Sequence, residues 1–425
     1  MNITILNGNP DAEGSSLDQY LQRLEETMEA SGHSTTLLNL RDLDIRFCTG
    51  CFGCWVKTPG ECAFTDDSAA VCRAVINSDF MLWAAPLHMG FPSMLLKRTM
   101  DRSIPLILPY FEVDQNEAHH LARYARHPRL GLLLEREPDT DEADLQIVAD
   151  IFARTALNMK SRLEFAATTD TATDDVARRI EGSVPGPVLF EKRLAATTGT
   201  QIAPVQRLTL FNGSPRGAKG NTPIMLEQFA EGFASLPGRS SEMHHLAQVS
   251  KTEEFVQAFR KAECVWLGFP LYTDAMPGLV KGFIEALEPL RGGPNPPIGF
   301  LVQSGFPEAT HSRHVERYLE KLAARLGSPY LGTIVKGNGE GTRLMPESAN
   351  RKLFGRLQAL GRGMGETGQL DPTLLRALSK PERYPDALAP LFKLMVKTPL
   401  VNFYWNQQLK QNGAYERRFA RPYAE

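Results

Sequence analysis

The chain has 425 residues, 42% of them apolar and 23% charged, with 29 prolines spread along it, which fits an ordinary folded protein longer than one hydrophobic core usually serves. Its 47 basic and 49 acidic residues leave a formal charge of -2, which excludes a surface built as a whole for nucleic acid or an anionic membrane and points to small-molecule partners. The opening MNITILNGNP carries no basic leader and no later segment has the unbroken apolar length of a membrane span, so a cytoplasmic protein is expected.

The first predicted element is a short strand carrying Ile3, Ile5 and Leu6. A loop, NGNPDAEGSS, leads into a helix with Leu17, Tyr20, Leu21, Leu24 and Met28 on one stripe, Ser16 as its N-cap and Gly32 as its stop. Next comes FCTGCFGCWVKTPGECAFTDD, which gathers Cys48, Cys51, Cys54 and Cys62 at the spacing C-x2-C-x2-C-x7-C. Cysteines this sparse elsewhere argue against a disulfide framework. Four thiolates at this spacing suit a [4Fe-4S] cluster or a zinc ion, and they suit equally a set of redox-active thiols. Cys72 and Cys264 fall in helical and strand patterns and read as buried bystanders. Residues 80–102 then give an apolar strand, a Pro-Leu-aromatic loop, a second proline and a helix start, and RLGLLLE at 129–135 is a buried strand before a charged helical stretch.

The same syllables return in the second half. RLTLF, NGSPRGAKGNT and a helix opened by Pro223 occupy residues 207–236, CVWLGFPLYTDAMPGLVKGFIEAL occupies 264–287, and PIGFLVQSGFP occupies 297–307. An internal repeat of half the chain is the mark of a tandem duplication. Strands alternating with helices predict an α/β fold: two doubly wound parallel-sheet domains in tandem, with a C-terminal helical extension. The expected domains are residues 1–190 and 205–345, with the Pro, Gly and Thr-rich stretch 184–206 as the boundary and a helical region over 346–425. In that last region Phe403, Tyr404 and Trp405 read as core or interface packing.

Two loops of the second half carry chemistry. In NGSPRGAKGNT, Ser214, Arg216, Asn221 and Thr222 surround a helix N-terminus, where unpaired N–H groups, hydroxyls and a guanidinium fork form an anion cradle. The loop is neither a Walker loop nor a G-x-G-x-x-G turn. In GFPLYTDAMPG, Pro270, Leu271 and Tyr272 offer a flat apolar face with backbone amides, suited to a planar ring. A loop after the third strand reaches the same ligand as a loop after the first. His119 with His120 and His244 with His245 are adjacent pairs, and His311 and His314, at helical spacing, read as solvated positions rather than a metal pair.

With Gly-Ser-Pro-Arg followed by Gly-Asn-Thr at Gly213 to Thr222, and Pro-x-Tyr at Pro270 to Tyr272, the chain resembles the NADPH-dependent FMN reductase branch of the flavodoxin-like proteins. The resemblance implies flavodoxin-like domains, FMN as cofactor and NAD(P)H as co-substrate. It also implies that Ser214, Arg216, Asn221 and Thr222 hold the FMN phosphate, that Pro270, Leu271, Tyr272 and Thr273 border the isoalloxazine, and that Ser304 and Gly305 contact it more weakly. The cysteine spacing is similar to that of the iron-sulfur flavoproteins of the same branch, which pair FMN with a [4Fe-4S] cluster. The halves depart from the family in complementary ways. The first keeps the cysteines but has Asn9 and Asp11 where the serine and arginine belong, and a carboxylate beside a phosphate opposes binding. The second keeps the phosphate loop and lacks the cysteine cluster.

Relatives of this kind are homodimers or tetramers, so the tandem chain is expected to act as an intramolecular pseudo-dimer, with further homo-oligomers open, and with the cysteine loop of one half beside the flavin of the other. The expected activity is FMN-dependent NAD(P)H oxidoreduction, with electrons leaving to a quinone, a flavin, another small acceptor or the cluster. The competing readings are an electron carrier between protein partners without NAD(P)H turnover, and a flavin-free tandem whose cysteines bind zinc. No side chain is assigned as catalytic, because the cofactor carries the hard chemistry.

Overall fold

The structure, a computed structural model, describes residues 1–11, 14–114, 116–183, 194–396, 398 and 401–424. Contacts divide the chain into two compact units, Met1–Glu191 with Pro385–Glu425, and Lys192–Tyr384. Residues 184–193 of the expected boundary lie outside the described residues. The part from 194 to 206 belongs to the second unit, where Thr200 N donates to Tyr330 O and Ile202 N to Gly368 O.

The first unit is built on β1 (Asn2–Asn7), α1 (Ser16–Ala30), β2 (Ser34–Asn39), α2 (Gly53–Val56), α3 (Ser68–Ile76) and β3 (Phe80–His88). It continues through β4 (Phe91–Pro92), α4 (Met94–Asp101), the antiparallel hairpin β5 (Ile107–Asp114) and β6 (Glu117–Ala122), then β7 (Arg129–Glu135), α5 (Glu142–Asn158), β8 (Leu163–Thr168) and α6 (Thr173–Glu181). The sheet runs β2-β1-β3-β7-β8, all parallel, with β4 folded back on β3. That is the flavodoxin order, with its switch point between β1 and β3. Inner strands β1, β3 and β7 are buried apolar runs because helices cover both faces, whereas edge strand β2 stays polar and half-exposed. The N-cap of α1 is Ser15, one residue before the expected Ser16; its hydroxyl accepts from Asp18 N. The β5–β6 hairpin was not foreseen, since its alternation is short and carries no turn signature.

The second unit repeats the scheme with β9 (Arg207–Asn212), α7 (Asn221–Ala234), β10 (Ser240–His245), α8 (Thr252–Lys261), β11 (Val265–Pro270), α9 (Gly278–Ala286), β12 (Ile298–Gln303), α10 (Arg313–Leu326) and β13 (Tyr330–Lys336). Its sheet order, β10-β9-β11-β12-β13, is the same. The C-terminal residues are helical, and their contacts divide them between the units instead of setting them apart. Helices α11 (Glu347–Thr367) and α12 (Pro372–Leu378) complete the second core, and α13 (Ala389–Met395) and α14 (Phe403–Gln411) pack within the first unit. Helix α11 lies so close to α7 that a Cβ on Gly232 would fall 1.9 Å from Gln358 O, and one on Gly361 would fall 1.8 Å from Phe229 O. Only glycine permits that approach. Trp405 of α14 is buried against Trp55 and Phe52, while Phe403 is 64% exposed. Among the described residues no helix is long and apolar enough to cross a membrane.

Candidate functional site

The second unit brings its predicted loops together at the carboxyl ends of β9, β11 and β12. Asn212, the last residue of β9, accepts from Ser214 N (3.0 Å) and donates to Gly217 O (3.0 Å), closing the loop from its own side chain. Gly213 crosses over to β11, where its N–H donates to Gly268 O at 2.7 Å; a Cβ there would meet Val280 Cγ2 at 2.4 Å. Gly220 abuts Ser214, whose Oγ would lie 2.2 Å from a Cβ at that position. Gly220 is also the N-cap of α7 and offers it no side-chain acceptor. Ser214, Asn221 and Thr222 are buried around this helix start.

An anion is present there, and the protein supplies it. Arg216 Nη1 lies 2.8 Å from Glu340 Oε1. Asn221 Nδ2 donates to Glu340 O at 2.9 Å and reaches Glu340 Oε2 at 3.4 Å, while Asn221 Oδ1 accepts from Arg343 N at 3.0 Å. Glu340 sits on the glycine-rich segment KGNGEG after β13, which sequence reasoning passed over. That segment is pressed onto the site. A Cβ on Gly337 would lie 2.1 Å from Pro307 O, and one on Gly339 would lie 2.3 Å from Gln303 Oε1, a buried acceptor without a hydrogen-bond partner. Ser304 is tied to the same segment, with its N–H donating to Lys336 O (3.0 Å) and its carbonyl accepting from Gly339 N (2.7 Å). Gly305 faces Glu340, whose Cβ would be 3.8 Å from a Cβ on the glycine.

In the loop after β11, Leu271 N donates to Gln303 O (2.7 Å), and Tyr272 and Ala275 exchange both backbone hydrogen bonds across a turn in which Thr273 and Asp274 have φ of 41° and 60°. The expected amide-lined face is therefore corrected: the amides of Leu271 and Tyr272 are engaged within the protein. What the loop offers a ring is Pro270 and the half-buried side chains of Leu271, Tyr272 and Thr273. His311 and His314 are buried, not solvated. His311 stacks on Phe306 with ring centroids 4.1 Å apart and lies 3.5 Å from the buried Glu308.

The counterpart loops of the first unit are closed by carboxylates from within. Asp18, in the first turn of α1, accepts from Asn7 Nδ2 (2.7 Å), Asn9 Nδ2 (3.3 Å), Gly14 N (3.2 Å) and Arg41 Nη1 (3.0 Å). Burial alone would raise its pKa, but the hydrogen bonds from Arg41, Asn7 and Asn9 outweigh that and hold the carboxyl below the usual aspartate range. Asp11, expected to repel a phosphate, is exposed, and Asp18 takes the loop's donors instead. At the turn after β3, Glu137 accepts from Met89 N (2.8 Å) and Gly90 N (2.7 Å).

The cysteine loop shows four free thiols. Cys51 Sγ accepts from Gly53 N (3.4 Å) and Cys62 Sγ from Arg102 Nη2 (3.2 Å). The buried Arg102 guanidinium also binds Asp66 (2.8 and 2.9 Å), Ser68 Oγ (2.8 Å) and Arg46 O (2.7 Å). Burial pushes the Cys48 thiol up to about 12 and the Cys54 thiol well above its ordinary value, the latter with added repulsion from Cys48, Cys62 and Cys51. The four sulfurs are thus in one another's electrostatic reach. Among the described residues, however, no three metal-binding side chains are gathered as an ion requires. The expected ligand set Cys48, Cys51, Cys54 and Cys62 lies in one loop, and among the described residues it is not gathered as a coordination sphere.

Sheet order defines a flavodoxin-like protein whose second unit carries a glycine-rich strand-to-helix loop with Arg216 paired to Glu340. Residues 1–118, in the first unit, match the NADPH-dependent FMN reductase family. An iron-sulfur flavoprotein of Methanocaldococcus jannaschii is 30% identical over 106 residues, which are 25% of this chain and 53% of that protein. One from Archaeoglobus fulgidus is 26% identical over 103 residues, 24% of this chain and 49% of that protein. The chain spans about half the length of the curated relatives it matches. Among solved structures, an FMN-dependent NADH-azoreductase from Bacillus anthracis in complex with FMN is 12% identical, covering 38% of this chain and 100% of that one, with a TM-score of 0.30.

Proposed function

We propose that the protein is an FMN-dependent NAD(P)H oxidoreductase that passes electrons from a nicotinamide to a quinone, a flavin or another small acceptor. The observation that carries this reading is the carboxylate of Glu340 between Arg216 and Asn221, since these two donors of the loop hold one carboxylate together. The match of residues 1–118 to the NADPH-dependent FMN reductases supports it. In this reading Ser214, Arg216, Asn221 and Thr222 hold the FMN phosphate. Pro270, Leu271, Tyr272 and Thr273 border the ring, with Ser304 and Gly305 at its margin.

When bound, FMN supplies the hydride and electron chemistry. The chain's own part is to bind and orient. The guanidinium of Arg216 and the N-terminus of α7 would neutralise the phosphate, and the hydrogen-bonded turn at Tyr272 to Ala275 would present the side chains that border the ring. Iron and sulfide determination on anaerobically purified protein decides whether the cysteines carry an iron-sulfur cluster.

The test is flavin content and NAD(P)H oxidation with a quinone acceptor. One FMN per chain with turnover is expected. FMN without turnover would favour an electron carrier, and no FMN after reconstitution would overturn the reading.

A further inference from the structure

Glu340 occupies the seat that the proposed function gives to a phosphate. Its carboxylate neutralises Arg216, and the same segment covers Asn221 through a backbone carbonyl and the Arg343 amide. A carboxylate and a phosphate cannot both take the Arg216 fork without like charges meeting in a half-buried site. We propose that Glu340 is a displaceable stand-in for the FMN phosphate, a gate on the second unit's flavin site that must withdraw before the cofactor seats. The inference rests on the reading of that site as an FMN site.

Two features make the gate movable. Glu340 comes from a loop separate in sequence from the cradle, and its side chain keeps 27% exposure, so it leaves without unwinding a helix. Its segment contains Gly337, Gly339 and Gly341, with Asn338 at φ 56°, and Gly337 and Gly339 are forced by close approach in the closed position. The charge and the loop contacts are separable. Removing the charge at Glu340 leaves intact the backbone bonds from Asn221 to Glu340 O and from Arg343 N to Asn221, so the loop stays docked while the competing anion is gone.

The experiment titrates flavin-stripped full-length protein with FMN and with riboflavin, which lacks the phosphate, by quenching of flavin fluorescence. The wild type is compared with Glu340→Gln and, as a shorter carboxylate, Glu340→Asp. Melting curves establish that each variant is folded. Glu340→Gln is expected to lower the Kd for FMN about tenfold, roughly 1.4 kcal/mol, with the Kd for riboflavin unchanged. Equal or weaker FMN binding by a folded Glu340→Gln would overturn the gate while leaving the FMN site standing. An equal gain for riboflavin would also overturn it, since the effect would then be steric. If neither wild type nor variants bind FMN, the site reading fails and the gate fails with it.

Discussion

The two units share a strand order and differ in where the anion of the first loop comes from. In the first unit Asp18 is part of α1, the helix whose N-terminus it serves, and its hydrogen bonds to Asn7, Asn9, Gly14 and Arg41 lock the loop as a structural element. In the second unit Glu340 comes from a loop after the last strand and meets the cradle only through tertiary folding. One carboxylate is a permanent part of its loop, and the other can leave. A duplicated fold can thus keep its backbone while one copy closes its first loop with a carboxylate of the adjoining helix and the other with a carboxylate brought from a distant loop.

The ion pair at the fourth turn position of the helix after the third strand sharpens this contrast most. Lys97 pairs with Asp101 and Lys281 with Glu285. Asp101 is 3% exposed and Glu285 is 24% exposed. Replacing Lys97 by Met leaves a buried carboxylate without its cation and should cost about 3–5 kcal/mol in chemical denaturation. Lys281→Met should cost about 1 kcal/mol, because water reaches Glu285. Equal losses would mean the two helices are equivalent after all.

Arg216 and Arg41 should separate in function. Arg216→Ala is expected to weaken FMN binding by about 10- to 100-fold, the worth of a charge-assisted hydrogen bond, in fluorescence titration. Arg41→Ala should leave FMN affinity as it is and lower the stability of the first unit. A loss of FMN on Arg41→Ala would move the flavin to the first unit.

Acid should also act on the first unit. The folded pKa of Asp18 lies below its unfolded value near 3.9, so its contribution is complete above that pH and is lost as pH falls through the folded pKa. Asp18→Asn should therefore be less stable at neutral pH and lose less stability on acidification, read from urea midpoints between about pH 5 and pH 2. The smallest effect is expected at Thr273, a β-branched residue at φ 41°. Thr273→Gly should relieve this and stabilise the second unit by at most about 1 kcal/mol in thermal melts.

The α/β repeat was legible because buried parallel strands read as apolar runs and helices as stripes, and both patterns recur half a chain apart. The cradle residues Ser214, Arg216, Asn221 and Thr222 were legible because one strand-to-helix turn holds them all. Glu340 was not, being more than a hundred residues from Arg216, although the glycine-rich KGNGEG that follows β13 was a signal available to find it. The burial of His311 and His314 was also missed, because helical spacing alone does not say which face of a helix meets the core.

By itself, then, the sequence determined the local chemistry: a helix start with serine, arginine, asparagine and threonine around it, a cysteine-rich loop, and apolar patterns that can only be satisfied by layered sheets and helices. Tertiary structure alone decided which distant groups meet. It set Glu340 on Arg216, Glu137 on the Met89 turn and Arg102 on Cys62, and it spread the C-terminal helices over two cores. The physical reason is range: hydrogen-bonding turns and side-chain periodicity act over a few neighbouring residues, whereas an ion pair needs only that folding bring two groups within a few ångströms, whatever their separation along the chain.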